Sequence, residues 1–372
     1  MKPVYIIADN IVSPLGATAA ANFEALLAGR RGVQQQVQPA LSETPFFASL
    51  FPPGEFNSNE YTKFELLLIA SIGEALAQVP VAANSARTAL ILSSTKGNIS
   101  LLETEEPGAA VTERVSLSHS AALVAARFGF STRPIIISNA CISGLLAMIT
   151  GMRLIQAGTY DQVVVAGADV ISRFVLSGFQ SFQAVSAAPC RPFDAARDGI
   201  NLGEGAATVI LSAWQHNPAG CRISAGSVSN DANHISGPSR TGEELFQAIS
   251  RCLAMAGLAP ADIDFISAHG TATLYNDEME SKAIALANLL TVPLNSLKGY
   301  YGHTLGAAGL IETVISIRSL QAGKIIPTAG FEKPGVSQPV TVADTMIEKS
   351  MRHCLKTASG FGGCNAAVIV SQ

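Results

Sequence analysis

The 372-residue chain reads as an α/β protein built from two similar halves. Two patterns predict this. Short apolar, β-branched runs alternate with longer segments of helical periodicity, the order that lays helices over strands. In addition, Ser143-Gly144-Leu145…Arg153…Gln156-Ala157-Gly158 returns without gaps as Ala308-Gly309-Leu310…Arg318…Gln321-Ala322-Gly323. Each copy opens on small residues, is apolar nearly all round and closes at Gln-Ala-Gly, where glycine supplies the usual helix stop. A helix apolar on every side is buried, so two equivalent buried helices imply two stacked α/β halves. The boundary is expected within 214–220, giving halves 1–215 and 216–372.

In chain order, strands are predicted at 4–8, 89–92, 135–138, 163–166, 207–211, 265–268 and 366–370. Helices are predicted at 62–77, 143–157, 242–256, 277–287 and 310–322. The run Val4-Tyr5-Ile6-Ile7-Ala8 stops at Asp9, so it reads as a first strand and not as a signal peptide. No Pro/Ser-rich linker or low-complexity segment separates the elements, so loosely tethered domains are not expected.

With 48% hydrophobic and 14% charged residues, the chain can fill a large core. Its net charge of −4, without any block of like charges, argues against nucleic acid as a partner. No uninterrupted apolar stretch reaches about 18 residues, so membrane insertion is not expected. The six cysteines are scattered with no C-x-x-C pair, which argues against a structural zinc site, and no metal is expected. In a cytoplasmic protein, the expected location, most would be small buried hydrophobes.

One cysteine differs. Ile135-Ile136-Ile137-Ser138-Asn139-Ala140-Cys141-Ile142-Ser143-Gly144 places Cys141 where a strand ends and a small-residue helix begins. The positive end of a helix lowers a thiol pKa from about 8.5, so a thiolate is expected there at neutral pH. Two histidines lie in glycine-rich loops far downstream, in His269-Gly270-Thr271-Ala272-Thr273 and in Gly302-His303-Thr304-Leu305-Gly306-Ala307-Ala308-Gly309. Both sit at element ends, where a bent backbone presents a side chain. A cysteine with two such histidines points to covalent thioester chemistry. His216, His234 and His353 lack that setting. Cys364, within Gly360-Phe361-Gly362-Gly363-Cys364-Asn365, is the second cysteine of note. Glu312 falls inside an otherwise apolar helix and needs a partner, either Lys298 or one of the histidines. Asp277 and Glu280 open the helix after His269, where acidic residues suit the dipole. There is no G-x-S-x-G elbow and no P-loop. Gly203-Glu204-Gly205 precedes a strand instead of following one, so it is not a dinucleotide loop.

At these residues the chain resembles the β-ketoacyl synthases, condensing enzymes of the thiolase superfamily. The resemblance runs nearly end to end. It includes Ser13-Pro14-Leu15-Gly16, Asn139-Ala140-Cys141-Ile142-Ser143-Gly144, Arg191-Pro192-Phe193-Asp194…Gly203-Glu204-Gly205, His269-Gly270-Thr271-Ala272-Thr273…Asp277, Lys298…Gly302-His303…Glu312 and Gly360-Phe361-Gly362-Gly363. It implies a thiolase-like fold of two pseudo-symmetric halves in five layers, αβαβα. It also implies that Cys141 accepts an acyl group from an acyl carrier protein, and that His269 and His303 serve decarboxylation of a malonyl carrier protein. Lys298 and Glu312 would tune the histidines, and the Cys141 and Phe361 amides would form the oxyanion hole. Phe361 would gate the site, while Thr271, Thr273 and Asp277 would serve substrate binding, the threonines on the phosphopantetheine arm. No cofactor beyond that carrier-borne arm is implied. The partners implied are the carrier protein and a dimer mate, identical or related.

The Cys-His-His set resembles elongating synthases. Thiolases carry a second cysteine, and initiating synthases an asparagine. A chain-length-factor-like partner subunit, which typically lacks the nucleophile, and a thiolase are the competing readings. Three departures from the family pattern bear on the acyl pocket: a compressed segment at 96–133 containing Glu103, Glu105 and Glu106, a trimmed 181–191, and Ile142 after the nucleophile.

Overall fold

A computed structural model describes residues 2–217, 220–232 and 237–372; His234 and part of the 214–220 boundary lie outside them. Ten strands form one hydrogen-bonded series. They are β1 (Val4–Val12), β2 (Thr88–Ser93), β3 (Ile135–Ile137), β4 (Gln162–Asp169), β5 (Gly205–Ser212), β6 (Arg222–Asn230), β7 (Phe265–Ser267), β8 (Leu294–Asn295), β9 (His353–Gly360) and β10 (Cys364–Ser371). Their order is β3-β2-β4-β5-β1-β6-β10-β9-β7-β8. The first five and the last five therefore repeat one topology, each half running first, fifth, fourth, second, third strand. Within this series the two halves meet where Val4 and Tyr5 pair with Ile223 and Arg222.

Seven helices define the layers: α1 (Lys63–Leu76), α2 (Leu117–Arg127), α3 (Ser143–Gln156), α4 (Arg173–Ser181), α5 (Glu243–Ala256), α6 (Leu274–Leu286) and α7 (Ala308–Ala322). α1 and α2 cover the outer face of the first half, α5 and α6 that of the second. α3 and α7, the repeated helices, lie between the halves and touch both. The result is five layers, αβαβα.

The repeat has a steric reason. A Cβ on Gly144 would lie 2.9 Å from the Gly306 carbonyl oxygen and 3.0 Å from the Leu310 nitrogen, and one on Gly309 would lie 2.9 Å from the Leu145 nitrogen. Each helix thus offers a glycine to the backbone of the other, about a local two-fold axis. Gly309→Ala should destabilise the protein by about 1–3 kcal/mol through overpacking, read by urea unfolding. A change below about 0.5 kcal/mol would show that the helices part freely.

Departures from the predicted elements have local causes. β1 continues through Asp9 and Asn10 because both polar side chains are buried with partners: Asp9 pairs with Arg318, and Asn10 accepts from the Ala19 amide at 3.1 Å. β6 was not predicted, since Arg222–Asn230 is rich in serine and other small residues. Its small residues are required by packing, for a Cβ on Gly226 would fall 2.7 Å from Ile149 of α3. β9, interrupted by Lys356, and the two-residue β8 were also unpredicted. α6 begins three residues earlier than predicted because Thr273 caps it, accepting from the Asn276 amide. In the compressed 96–133 segment, Glu103 accepts from the Arg173 and Phe174 amides at 3.1 and 2.7 Å, which caps α4.

Candidate active site

The nucleophile position is built by a strained turn. After β3, Ala140 adopts a left-handed φ of 44°. The Ser143 hydroxyl accepts from the Asn139 amide at 2.8 Å and donates to the Ala140 carbonyl at 2.6 Å, locking the bend. Cys141 follows, directly before α3. Gly360 lies against it so closely that a Cβ would sit 2.9 Å from the Cys141 nitrogen and 3.1 Å from the Ala140 Cβ. Only glycine lets the β9–β10 turn bring the Phe361 amide to the sulfur.

His269 stands two residues beyond β7, and its backbone is held from both sides. Its amide donates to Glu280 Oε1 at 2.9 Å, the Gly270 amide to Glu280 Oε2 at 2.8 Å, and Lys298 Nζ to the His269 carbonyl at 2.9 Å. His303 is fixed across the two halves: its amide donates to the Asn201 carbonyl at 2.7 Å and its carbonyl accepts from Gly203 at 3.0 Å. A Cβ on Gly203 would fall 1.9 Å from the Tyr301 carbonyl oxygen, so the Gly203-Glu204-Gly205 motif works by close backbone approach.

Cys141, His269 and His303 offer ligand-type atoms all within 4.8 Å of one another, and all three are buried. The imidazoles meet edge to face at 81°, with centroids 5.2 Å apart. Neither ring nitrogen of His303 has a hydrogen-bond partner among the described residues. Burial, then the nearby Lys298, holds both histidines well below their usual pKa, so both are neutral at physiological pH.

The thiol corrects the sequence expectation. Burial pushes Cys141 up to about 12, and the neighbouring Cys364 pushes the same way, while Lys298 and the Phe361 amide pull weakly down. Desolvation outweighs the helix terminus, so the resting group is a protonated thiol. Alkylation by iodoacetamide should therefore rise about tenfold per pH unit between pH 7 and 9.5. A plateau near pH 8 in the labelling rate would contradict this.

Beneath the histidines lies a buried ionic cluster. Lys298 pairs with one oxygen of Glu312, and Lys356, missed in the sequence, pairs with the other at 2.7 Å. Asp169, also missed, ties the halves together. It accepts from Ser94 Oγ at 2.8 Å and the Gly306 amide at 2.7 Å, and burial raises it to about 6.

These groups open into a cavity of about 360 Å³ lined in part by Cys141, His269, His303, Thr271, Thr273 and Phe361. Phe361 is 40% exposed and packs on Phe179 and Phe182 with centroids 5.7 and 5.6 Å away. Those two phenylalanines on and just after α4 carried no recognisable signal in sequence. Asp277, expected among the substrate-binding residues, is not among the residues that line the cavity, although its neighbour Asn276 is. It is fully buried and accepts from the Phe193, Thr271 and Ala272 amides at 2.7, 2.9 and 3.1 Å. It secures two left-handed residues, Phe193 and Ala272. Cys364 also stays outside the cavity lining, its sulfur 3.4 Å from the Phe361 carbonyl oxygen.

Fold and site together define a two-half α/β protein whose seam holds one thiol and two neutral imidazoles, a set suited to acyl-thioester chemistry. Residues 1–216 match the β-ketoacyl synthase N-terminal domain and residues 221–332 its C-terminal domain. The chain belongs to the β-ketoacyl synthase family, condensing enzymes of the acyltransferase type. It is 28% identical to a putative mitochondrial 3-oxoacyl-[acyl-carrier-protein] synthase of Schizosaccharomyces pombe across 99% of this chain and 98% of that protein. It is 34% identical to a putative polyketide β-ketoacyl synthase of Streptomyces cyaneus, over 69% of this chain and 64% of that one. A β-ketoacyl synthase structure from Burkholderia phymatum superposes with a TM-score of 0.89 at 24% identity, covering both chains fully. A ketosynthase of Xenorhabdus doucetiae, solved with its chain length factor, gives 0.84 at 26% identity over 100% of this chain and 98% of that one. No helix among the described residues is long and apolar enough to cross a membrane.

Proposed function

We propose that this chain performs decarboxylative Claisen condensation on carrier-bound thioesters, with Cys141 as nucleophile. The observation that carries the reading is the convergence of Cys141, His269 and His303, drawn from both halves of the chain, within 4.8 Å at the cavity. In the first half-reaction the Cys141 sulfur attacks the acyl thioester. The thiol proton passes to an imidazole and on to the departing pantetheine thiolate. The amides of Cys141 and Phe361 would hold the developing oxyanion, since both are fixed before charge appears.

A malonyl thioester then binds and loses CO2. The enolate oxygen left behind accepts N–H donation from His269 and His303, which neutral imidazoles can provide. The enolate carbon attacks the acyl-Cys141 carbonyl. Collapse yields the β-ketoacyl thioester, and Cys141 leaves as thiolate and takes up one proton, closing the balance. Thr271 and Thr273, whose hydroxyls lie 2.9 Å apart at the cavity wall, would contact the pantetheine arm. Lys298 and Glu312 would orient His269, and Phe361, stacked with Phe179, would gate entry. The chemistry asks for no cofactor beyond the carrier arm.

We also assign residues 1–215 and 216–372 to the two halves, acyl carrier protein as partner, and a dimer formed with itself or with a related subunit. The reading places the protein in the cytoplasm, where its six unpaired, buried cysteines would stay reduced. A chain-length-factor role is disfavoured because the nucleophile and both histidines are present. Intact-protein mass spectrometry after incubation with a panel of acyl carrier protein thioesters tests the reading. Wild type should gain one acyl group and Cys141→Ala none. No acylation across the panel, alone or with a related subunit, would overturn it.

A further inference from the structure

Lys356 lies on β9 with no exposed surface, and the mechanism above makes no use of it. Its Nζ donates to the Ser267 and Ala268 carbonyls at 3.0 and 3.1 Å and pairs with Glu312 Oε2 at 2.7 Å. Lys298 takes the next carbonyl, that of His269. Three successive carbonyls leading into the histidine thus face two ammonium groups that share one carboxylate. The neighbouring Thr357 points to the other side of the sheet and donates to Glu280 Oε1 at 2.6 Å. Lys298, Lys356, Glu280 and Glu312, all buried, sum to zero charge.

The duplicated fold shows that the lysine is not an architectural need. In the second half Lys356 pairs with Ser267, and in the first half the equivalent pairing, with the halves aligned on their matching bulges, is Val165 with Ile91. The internal repeat likewise sets Glu312 opposite Ala147. The half that lacks the histidines therefore has Val165 and Ala147 where the half that carries them has a buried ion pair.

We propose that Lys356 is a positioning residue for the condensation reaction: its ammonium, seated between Glu312 and the strand entering His269, balances the charge beneath the two histidines and keeps both imidazoles neutral. Cys141 from the first half lies within 4.8 Å of the imidazoles, and Lys298 from the turn 298–301 and Lys356 from β9 act on both of them; Glu280 from α6 holds the His269 amide, and Glu312 from α7 holds both lysines and acts on Tyr301. With Lys356 uncharged, the buried cluster carries one net negative charge, which favours imidazolium. The proposal rests on the function assigned above, because neutral donors are what the enolate needs.

The test uses Lys356→Gln, which keeps a donor, and Lys356→Met, with malonyl carrier protein decarboxylation and condensation followed across the whole acid limb of the wild-type profile. That limb should move up by about one pH unit, so activity on it falls about tenfold relative to wild type at the same pH, while KM on the plateau stays within twofold. Lys356→Met combined with Glu312→Gln, which restores neutrality, should return the limb towards that of wild type. NMR titration of the His269 and His303 imidazoles should show the same shift without any turnover. An unshifted imidazole titration in a folded Lys356→Gln protein overturns the proposal, as does a rate loss equal at every pH. If wild type neither decarboxylates nor condenses, the function reading fails instead, and the imidazole titration still decides the role of Lys356.

Discussion

Cys141→Gln should lower condensation by at least about 10⁴-fold while leaving malonyl decarboxylation measurable. Removal of a covalent nucleophile eliminates the acyl-enzyme route, and losses of this size or larger follow when no other group can substitute. Cys364 is a poor substitute, since its sulfur lies against backbone carbonyls and outside the cavity lining. The glutamine amide is planar like the acylated thiol, and its carbonyl oxygen can lie against the Cys141-position and Phe361 amides. The two imidazoles are untouched, so they can still donate to the enolate oxygen. CO2 release from malonyl carrier protein and formation of the β-ketoacyl product are measured in parallel. Condensation within tenfold of wild type would remove Cys141 from its role. Loss of both activities in a folded variant would show that the histidines depend on the thiol itself.

The general plan was legible because duplication wrote it twice. The repeat spanning 143–158 and 308–323 predicts a central pair of helices, and the reciprocal contact of Gly144 and Gly309 explains why small residues were kept at both openings. The unpredicted strands share a different property. β6 is polar and small because α3 presses against it, and β9 carries a lysine whose counter-ion lies on another layer. Such residues follow non-local packing, which periodicity cannot register. Cys141, His269 and His303 were legible for the opposite reason: each stands beside glycines or small residues that local backbone geometry demands. The thiol pKa was misjudged because the helix end is visible in sequence, whereas the depth of burial is not. Asp277 could be seen as acidic and placed near a helix start, but its three amide donors come from segments some eighty positions apart.

Glu312→Ala should destabilise the protein by about 3–5 kcal/mol, the range found when one partner of a buried ion pair is removed. The effect should reach the upper part of that range because Glu312 neutralises two lysines. Its removal leaves Lys298 and Lys356, both fully buried, without the carboxylate that they share. Burial already lowers the Lys356 pKa, and Glu312 is the main group opposing that shift. Without the carboxylate the folded-state pKa falls further below the unfolded value, so the unfolded chain binds more protons than the folded one. Stability of the variant relative to wild type should then rise with pH, and the deficit should be largest near pH 6.5 and narrow by pH 8.5. Urea unfolding of both proteins at these two values measures the difference directly. Glu312→Gln, which keeps an acceptor for one lysine, should lose less than the alanine variant. Equal stability of Glu312→Ala and wild type at pH 6.5 would mean that the lysines find other counter-charges, and a deficit that widens with pH would mean that burial of positive charge is not its cause.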